Sequence, residues 1–276
     1  MSQPFRKYQA LQNDYLLFDA LDAPVSFPPA QIVAMCHRRT GVGADGILIV
    51  GRAPGGADGG DVYTMDILNN DGSVAAMCGN GLRCVGKFLA DAGHLAPGDR
   101  REVRTASGPR HVTVLGHAPD VSQVVAGLGR PRVLDDALTL NDLAFVRVDV
   151  GNPHIVHFLD PAAPRAYAPD WNRQLALSLG PELEHAFEGG VNVGFAVVTG
   201  PAELDLVVWE RGAGFTQACG TGATAAVTAA LHLGLVPRGP VRVRQTGGDV
   251  TVTLDADGAA TLDGPAHFVF AGTLPD

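Results

Sequence analysis

Lysine is nearly absent from this sequence of 276 residues, in which only Lys7 and Lys87 occur. The scarcity limits the cofactors that the protein can hold, because pyridoxal phosphate is bound as a Schiff base of a lysine. Neither lysine lies in a segment that favours such a site, and we expect Lys87 to extend along a helix to solvent. No Gly-x-Gly-x-x-Gly motif follows a predicted strand, and no Gly-Lys-Ser/Thr phosphate loop occurs. The sequence therefore predicts chemistry that needs no organic cofactor.

Charge and hydropathy exclude two further classes of protein. The formal net charge is −9 and no cluster of Lys and Arg occurs, so a nucleic-acid partner is not expected. No apolar run reaches membrane-spanning length, and the first residues lack the apolar core and cleavage site of a signal peptide. We therefore expect a cytoplasmic protein without a membrane partner, whose cysteines are reduced thiols.

Metal ligands are not grouped along the chain. The four cysteines, Cys36, Cys78, Cys84 and Cys219, do not follow the Cys-x₂₋₄-Cys spacing of zinc sites, and the histidines are scattered. No metal site is predicted. A disulfide between Cys78 and Cys219 is sterically conceivable, but in a cytosolic protein it would be an artefact of oxidation.

Two of the cysteines open matching motifs, Cys78-Gly-Asn-Gly and Cys219-Gly-Thr-Gly, which lie about half a chain apart. Each motif follows a strand and a polar turn, and each precedes a predicted helix, over 79–93 and 221–235. Apolar residues recur at helical spacing in the first helix. The second helix is apolar on nearly every face, so it must be buried on most sides, here by curved sheet.

This near-repeat predicts two similar domains that face each other, 1–125 and 126–265. Further helices are expected near 29–38 and 172–187. Strands are predicted at 14–19, 46–50, 62–68, 101–115, 122–128, 144–150, 191–199, 203–210, 241–245, 249–255 and 267–272.

The chemistry of the motifs follows from their place at the start of a helix. Free N–H groups and the helix dipole favour negative charge there, so the pKa of a thiol is expected to fall towards neutrality. The glycines let the backbone approach a carboxylate closely. Two facing units would put a thiolate on one side of a carbon and a thiol on the other, which suits inversion at an acidic carbon.

The alternative for any single cysteine is a small buried apolar residue. We assign Cys36 and Cys84 to that class, because Cys36 lies on an apolar helical stretch and Cys84 lacks the glycine frame. The matched context of Cys78 and Cys219 favours a catalytic pair.

Polar residues also follow several apolar strands. Turn formation is the ordinary explanation for a single Asn at such a place, but several in similar contexts suggest a small polar ligand. Arg211 could clamp a carboxylate or form a surface ion pair with Glu210, and His154 could be a surface histidine. The group comprises Asn13, Asn69, Asn152, His154, Asn192, Glu210 and Arg211.

These segments together resemble the diaminopimelate epimerase family. The resemblance rests on "NNDGSVAAMCGNGLRC" and "WERGAGFTQACGTGATAA", with "GVGADG", "GNPH" and "VNV" in the same order, and it extends from "QNDYLLFD" to "GPAHFVFAG". It implies a cofactor-independent isomerase that interconverts LL- and meso-diaminopimelate on the route to lysine and peptidoglycan. It also implies an α+β fold of two domains, each a mixed curved sheet or barrel wrapped around a central helix, with the active site in the interdomain cleft. The final strand, 266–276, would return to the first domain, and the protein would be a homodimer.

The resemblance also implies roles for individual residues. Cys78 and Cys219 would be the base and the acid, exchanging roles with the direction of reaction. Glu210 and His154 would assist proton transfer or orient the substrate amine. The backbone N–H groups that would hold the reacting carboxylate belong to Gly79, Asn80, Gly220 and Thr221. The side chains that would bind the rest of the substrate are Asn13, Asn69, Asn152, Asn192 and Arg211.

Five positions depart from the family pattern. Ala10 and Gln12 stand where the family has glycines, and Gly46 stands where a glutamine is common. Phe215 replaces a glutamate, and Thr224 replaces a frequent further cysteine. None of these changes removes a proposed catalytic residue.

Two other functions remain open on the sequence. One is another cofactor-independent amino acid racemase of the same fold, although Arg211 and the asparagines favour a substrate with a second polar end. The other, from a different class, is a thiol-based metal- or redox-sensing binding protein, which would bind zinc stoichiometrically or oxidise reversibly.

Overall fold

The structure is a computed structural model that describes residues 2–55, 60–160 and 171–275. The chain folds into two compact units, Met1–Gly127 with Asp263–Asp276 and Leu128–Leu262. The boundaries expected from the sequence, after residue 125 and before residue 266, lie within the same two strands, Val121–Gly129 and Ala260–Leu274.

Strands outnumber helices in both units. The helices of the described residues are α1 (Pro29–Cys36), α2 (Gly79–Asp91), α3 (Trp171–Glu184) and α4 (Gly220–His232). The strands of the first unit are β1 (Gln3–Ala10), β2 (Asn13–Ala20), β3 (Gly46–Ala53), β4 (Val62–Asn69), β5 (Val74–Ala75), β6 (Arg100–Thr105), β7 (Gly108–His117) and β8 (Val121–Gly129). The later strands are β9 (Arg132–Leu140), β10 (Leu143–Asp149), β11 (Pro153–Phe158), β12 (Asn192–Gly200), β13 (Glu203–Glu210), β14 (Gly214–Phe215), β15 (Pro240–Gln245), β16 (Gly248–Leu254) and β17 (Ala260–Leu274).

The first unit is a mixed sheet closed on itself. Antiparallel pairs join β1 to β2, β3 to β4, β6 to β7 and β7 to β8, whereas β2–β3 and β4–β6 are parallel. β17 pairs with both β8 and β1, so a barrel of eight strands has no open edge.

Helix α2 forms the core of this barrel. Every residue from Gly79 to Ala90 is buried, and Leu82, Val85, Phe88 and Leu89 are fully so. The helix ends in a turn where Gly93 takes φ 78° and the His94 N–H donates to the Leu89 carbonyl at 2.8 Å. This left-handed glycine is the usual way to end a helix. Helix α1 lies on the other face of the sheet, over Phe5, Phe18 and their apolar neighbours.

Lys87 corrects one expectation. Its side chain is fully buried in α2 and does not extend to solvent. The Nζ group pairs with the Asp91 carboxylate one turn on and donates to the carbonyls of Ala118 and Pro119 at 2.9 and 3.0 Å. A closed barrel offers the helix no solvent-facing side, so this charge is satisfied internally.

The second unit repeats the pattern of the first. Pairing alternates in the same way along β10, β11, β12, β13, β15 and β16: antiparallel, parallel, antiparallel, parallel, antiparallel. Helix α4 packs against most of these strands and is buried from Gly220 to Ala230. It ends as α2 does, with Gly234 at φ 70° and a hydrogen bond from Leu235 to Ala230. The prediction of two similar α+β units, each a mixed sheet around a central helix, is confirmed.

The strands that were not predicted are β1, β5, β9, β11 and β14. β1 is buried on both faces, since Phe5 packs with Phe18 under α1 while Tyr8 packs with Phe88 of α2, so its alternation is obscured. β9 is exposed along most of its length and carries no core face. None of the helices in the described part of the chain is both long enough and apolar enough to cross a membrane.

Candidate active site

Cys78 is the N-cap of α2. Its backbone is extended, with φ −146° and ψ 114°, and its Sγ accepts a hydrogen bond from the Gly81 N–H at 3.3 Å. An N-cap side chain normally supplies an oxygen for this contact, so a sulfur here holds the thiol at the positive end of the helix dipole. The Tyr15 hydroxyl, from β2, lies 2.9 Å from the same sulfur.

Cys219 is the N-cap of α4 in the same manner. Its φ and ψ are −123° and 111°, and its Sγ accepts from the Gly222 N–H at 3.3 Å. The Glu210 carboxylate, from the end of β13, accepts from the thiol at 3.1 Å through Oε2. Its other oxygen accepts from the Thr216 hydroxyl at 2.5 Å. The backbone N–H of Cys219 donates to the Gln245 side chain at 2.8 Å.

The second glycine of each motif has a packing reason. A Cβ on Gly81 would lie 3.1 Å from Leu48 Cδ2, and a Cβ on Gly222 would lie 2.9 Å from Val208 Cγ2. Each would also lie 3.2–3.6 Å from the side chain of its cysteine. The absence of a side chain therefore lets each helix start press against a strand while its N–H reaches the sulfur.

The pKa of Cys219 does not follow the sequence expectation. Burial raises its pKa well above the ordinary value, and the negative charge of Glu210 raises it further. The N–H of Gly222 and the hydroxyl of Thr221 act in the opposite direction but are outweighed. The helix start alone would favour the thiolate, but here desolvation and the adjacent carboxylate favour the protonated thiol.

The other two cysteines have no such setting. Cys36 belongs to the apolar cluster under α1, and burial raises its pKa to about 11. Cys84 is fully buried in α2, and burial raises its pKa as well. Both thiols are packing residues, as expected.

Arg83 lies one turn after Cys78 and is fully buried inside the first barrel. Its guanidinium donates to the Asn80 side-chain oxygen at 2.9 Å and to the carbonyls of Gly79 and Pro265 at 3.4 Å. These partners are neutral, so among residues 2–55, 60–160 and 171–275 no carboxylate bonded directly to Arg83 cancels its positive charge. The thiol of Cys78 is among the groups whose negative form this cation favours.

Two predicted asparagines lie in the first unit. Asn13 begins β2 directly after a two-residue turn, in which Leu11 and Gln12 take φ 55° and 67°. Its buried Oδ1 has no hydrogen-bond partner among the described residues. Asn69 ends β4, where its side chain donates to the Ser73 hydroxyl at 2.9 Å. It lies opposite Gly46 in the β3–β4 register, where a Cβ on Gly46 would clash with the Leu68 carbonyl at 2.6 Å.

His154 and Asn152 lie near the start of α4. The Asn152 amide donates to the Thr221 hydroxyl at 3.2 Å, and its oxygen lies 3.1 Å from His154 Nε2. His154 is buried, and burial with the nearby charge of Arg211 lowers its pKa to about 3. The imidazole is therefore neutral at physiological pH and can act as a hydrogen-bonding group rather than a cation.

Asn192 connects two backbone segments. Its amide donates to the Pro153 carbonyl at 2.8 Å, and its oxygen accepts from the Arg211 N–H at 3.1 Å. The exposed Arg211 side chain donates to the Gly189 carbonyl at 3.0 Å. Asn192 thus fixes the backbone on which Arg211 lies.

The predicted residues form two groups, one in each unit. In the first unit, Cys78, Gly79 and Asn80 form the start of α2, while Asn13 begins β2 and Asn69 ends β4. The second group surrounds the start of α4 and contains Cys219, Gly220, Thr221, Asn152, His154, Asn192, Glu210 and Arg211. Sequence reasoning missed Tyr15, Arg83, Thr216 and Gln245, which contact these groups. Only Tyr15 carried a signal, since it follows the Asn13-Asp14 pair at the start of a strand.

Comparison with known proteins finds the same family that the two cysteine motifs resemble. The sequence model of the family "Diaminopimelate epimerase" matches residues 5–134 and 146–269. A diaminopimelate epimerase from Cyanothece sp. is 39% identical over 299 residues, with 99% of this chain and 100% of that protein covered. One from Corynebacterium glutamicum is 35% identical, with 98% of each covered.

Solved structures show the same fold at low sequence identity. The crystal structure of a hydroxyproline epimerase from Agrobacterium vitis has a TM-score of 0.70 and 16% identity, and covers 99% of this chain and 91% of that one. An identity this low shows only that the fold is shared, so the family is assigned from the sequence matches. By those matches, this chain belongs to the diaminopimelate epimerase family.

Proposed function

We propose that this protein interconverts LL- and meso-diaminopimelate by a two-base mechanism that uses Cys78 and Cys219 without an organic cofactor. The observation that carries the proposal is the repeated geometry of the two thiols. Each is the N-cap of a buried helix, and each accepts from the N–H of the second glycine in its motif. Family membership supplies the substrate.

The proposed reaction moves one proton at each side of the α-carbon. A cysteine thiolate removes the α-proton and becomes a thiol, and the electron pair left on carbon is delocalised into the carboxylate. The thiol of the other cysteine then gives its proton to the opposite face and becomes a thiolate, so atoms and charge balance. General acid–base catalysis of this kind requires both sulfurs to reach the same carbon.

The helix starts are suited to the charge that develops. Backbone N–H groups in the first turn have no acceptor within their own helix, and a carboxylate is favoured at this end of the dipole. We assign the reacting carboxylate to the N–H groups of Gly79, Asn80, Gly220 and Thr221. As the α-proton leaves, charge on this carboxylate grows, and these donors stabilise it.

Glu210 and His154 are assigned different supporting roles. Glu210 accepts from the Cys219 thiol, so it can hold that proton towards the carboxylate or relay it. His154 is neutral and its Nε2 faces the Asn152 oxygen, an acceptor, so Nε2 carries the ring proton and Nδ1 can accept a hydrogen bond from the substrate amine. The burial of His154 supports this role, because a charged imidazole would repel an ammonium group.

The distal amino acid end of the substrate needs a second set of polar groups. We assign it to Asn13, Asn69, Asn152, Asn192 and Arg211, of which Arg211 offers the planar fork that fits a carboxylate. The Asn13 Oδ1 supports the assignment, because it has no partner in the described part of the chain and a buried acceptor without a partner is costly in the free protein.

The direct test is solvent exchange. Purified, reduced protein is incubated with LL-diaminopimelate in heavy water, and the products are analysed by chiral chromatography and mass spectrometry. We expect meso product that carries one solvent deuterium at the inverted α-carbon. Active exchange on proline or hydroxyproline instead would favour a different racemase of this fold. Zinc binding or thiol oxidation without any exchange would favour the binding-protein alternative.

The proposal includes the assembly and location expected from the sequence. The two thiols must be reduced to exchange protons, which fits the cytoplasm. Val269 and Phe270 on β17 are 48% and 42% exposed in the isolated chain, and exposed apolar neighbours of this kind are suited to a subunit contact. Sedimentation equilibrium should give twice the chain mass of 28.7 kDa, and a monomer at micromolar concentration would remove the homodimer from the proposal.

A further inference from the structure

The Cys78 sulfur has a second polar neighbour that the two-base mechanism does not use. Tyr15 is buried on β2, and its hydroxyl lies 2.9 Å from the sulfur. We propose that the Tyr15 hydroxyl is the hydrogen-bond donor that positions and stabilises the thiolate form of Cys78. This inference rests on the proposed function, because it concerns the state in which Cys78 removes a proton.

The hydroxyl keeps its proton throughout the working pH range. Burial raises the pKa of Tyr15 well above its ordinary value, and the negative charge of Cys78 raises it further. A phenol in this state can donate to a thiolate but cannot act as a base at neutral pH. When Cys78 is a thiol, the same contact can persist with the S–H as donor, so both states of the cysteine keep a partner.

Other charged and titratable groups lie near Cys78 and act in both directions. From α2, the buried guanidinium of Arg83 favours the thiolate, and the Cys84 thiol stays protonated because its pKa is raised. From the loop before β3, the Asp45 carboxylate interacts with Tyr15, but its Oδ1 is paired with Arg38 at 2.7 Å. The N–H of Gly81 adds a second donor to the sulfur.

The Cys219 sulfur has the opposite partner. There the group bonded to the thiol is the Glu210 carboxylate, which accepts a proton and favours the protonated thiol. Cys78 and Cys219 each lie at the start of a helix, and each accepts from the N–H of the second glycine in its motif. They differ in whether the side chain beside the sulfur donates or accepts a hydrogen bond. Tyr15 therefore gives the pair a built-in difference: its hydroxyl, as donor, favours the thiolate of Cys78, whereas the Glu210 carboxylate favours the thiol of Cys219.

If Tyr15 has only a structural role, a different result is expected when its hydroxyl is removed. A buried phenol needs a hydrogen-bond partner, and a sulfur could serve only to satisfy it. In that case, removing the hydroxyl would leave the titration of Cys78 unchanged. If the hydroxyl stabilises the thiolate, its removal raises the pKa of Cys78, by about one pH unit for one hydrogen bond to a charged group.

The test measures the titration of each cysteine separately. Wild-type and Tyr15→Phe proteins are alkylated with iodoacetamide between pH 5 and pH 10, and the modification of each cysteine is followed by peptide mass spectrometry. We expect the midpoint of Cys78 alkylation to rise by about one pH unit. At pH values below the midpoint, the fraction of Cys78 present as thiolate should then fall about tenfold. Cys219 in the same protein should keep its midpoint. The kcat/KM for epimerisation should fall by about tenfold at neutral pH and recover at high pH.

The matched control is Tyr63→Phe. Tyr63 is also fully buried in the first unit, but its hydroxyl has no partner among the described residues. This change should leave both cysteine midpoints in place. Site-specific 2,3-difluorotyrosine at position 15 gives a more acidic phenol, a stronger donor, and should shift the Cys78 midpoint downward.

Two results would overturn the inference. One is an unchanged Cys78 midpoint in Tyr15→Phe, and the other is a rise of that midpoint with 2,3-difluorotyrosine at position 15. The alkylation experiment does not depend on substrate. Failure of solvent exchange with diaminopimelate would therefore reject the proposed substrate without altering this result.

Discussion

Cys219→Ser is expected to lower the rate of epimerisation by about 10³-fold or more, because one positioned acid or base contributes roughly 10²–10⁴-fold. The serine hydroxyl has far too high a pKa to exchange a proton with carbon at neutral pH. Serine is nevertheless a preferred N-cap, so α4 keeps the hydrogen bond from the Gly222 N–H that Sγ now accepts. The loss should therefore be one of chemistry alone. Cys78→Ser should behave in the same way, measured as kcat with both stereoisomers as substrate.

Alanine variants separate the cap from the chemistry. Cys219→Ala and Cys78→Ala should be as inactive as the serine variants, and should also lose about 1 kcal/mol of stability through the missing cap. Cys36→Ala is the control for removing a thiol, since Cys36 is the last residue of α1 and packs in the apolar cluster with Phe5 and Phe18. It should keep a kcat near that of the wild type. If either serine variant retained a near-normal rate, that cysteine would lose its assigned role.

Lys87→Met is expected to give the largest loss of stability, about 3–5 kcal/mol in the free energy of unfolding. Methionine fills a similar volume, but the change removes the partner of the Asp91 carboxylate and the donor to the carbonyls of Ala118 and Pro119. An uncompensated charge is then left inside a closed barrel. Asp91 retains the Tyr8 hydroxyl at 2.9 Å and the His117 ring at 3.8 Å, which together replace only part of the lost interaction. Urea denaturation followed by circular dichroism measures the effect.

Two further variants make this measurement specific. Arg132→Met breaks the ion pair with Asp149, but Arg132 is 69% exposed, so the cost should be at most about 1 kcal/mol. The double variant Lys87→Met/Asp91→Asn removes both charges and should recover part of the loss. A cost for Lys87→Met no larger than that of the exposed pair would mean that the buried pair does not stabilise the barrel.

The sequence predicted the parts of this molecule that depend on local pattern. The helices expected over 79–93 and 221–235 are found at Gly79–Asp91 and Gly220–His232, because their apolar spacing and the glycines at both ends are local signals. The repeat of Cys-Gly-x-Gly also indicated two similar units. Strand β1 was missed because both of its faces are covered, and this depends on residues far away in the chain.

The site was less predictable than the fold. The pKa of Cys219 was expected to fall, and the opposite follows from burial by the surrounding sheet and from Glu210. The Tyr15 hydroxyl reaches Cys78 across 63 positions of sequence, and no motif joins them. Lys87 was expected to reach solvent because a lysine on a helix usually does so. The barrel strands surround this helix, and the side chain is fully buried.

The pairing of β17 with β8 and β1 has a consequence for how the protein is made. A ribosome synthesises residues 128–262, the whole second unit, before the strand that completes the first barrel. Until then α2 lies in a sheet with an open edge, and its buried Arg83 and Lys87 lack a full enclosure. During synthesis, therefore, the second unit with Cys219 can fold first, and the barrel around Cys78 can close only after β17 has been made.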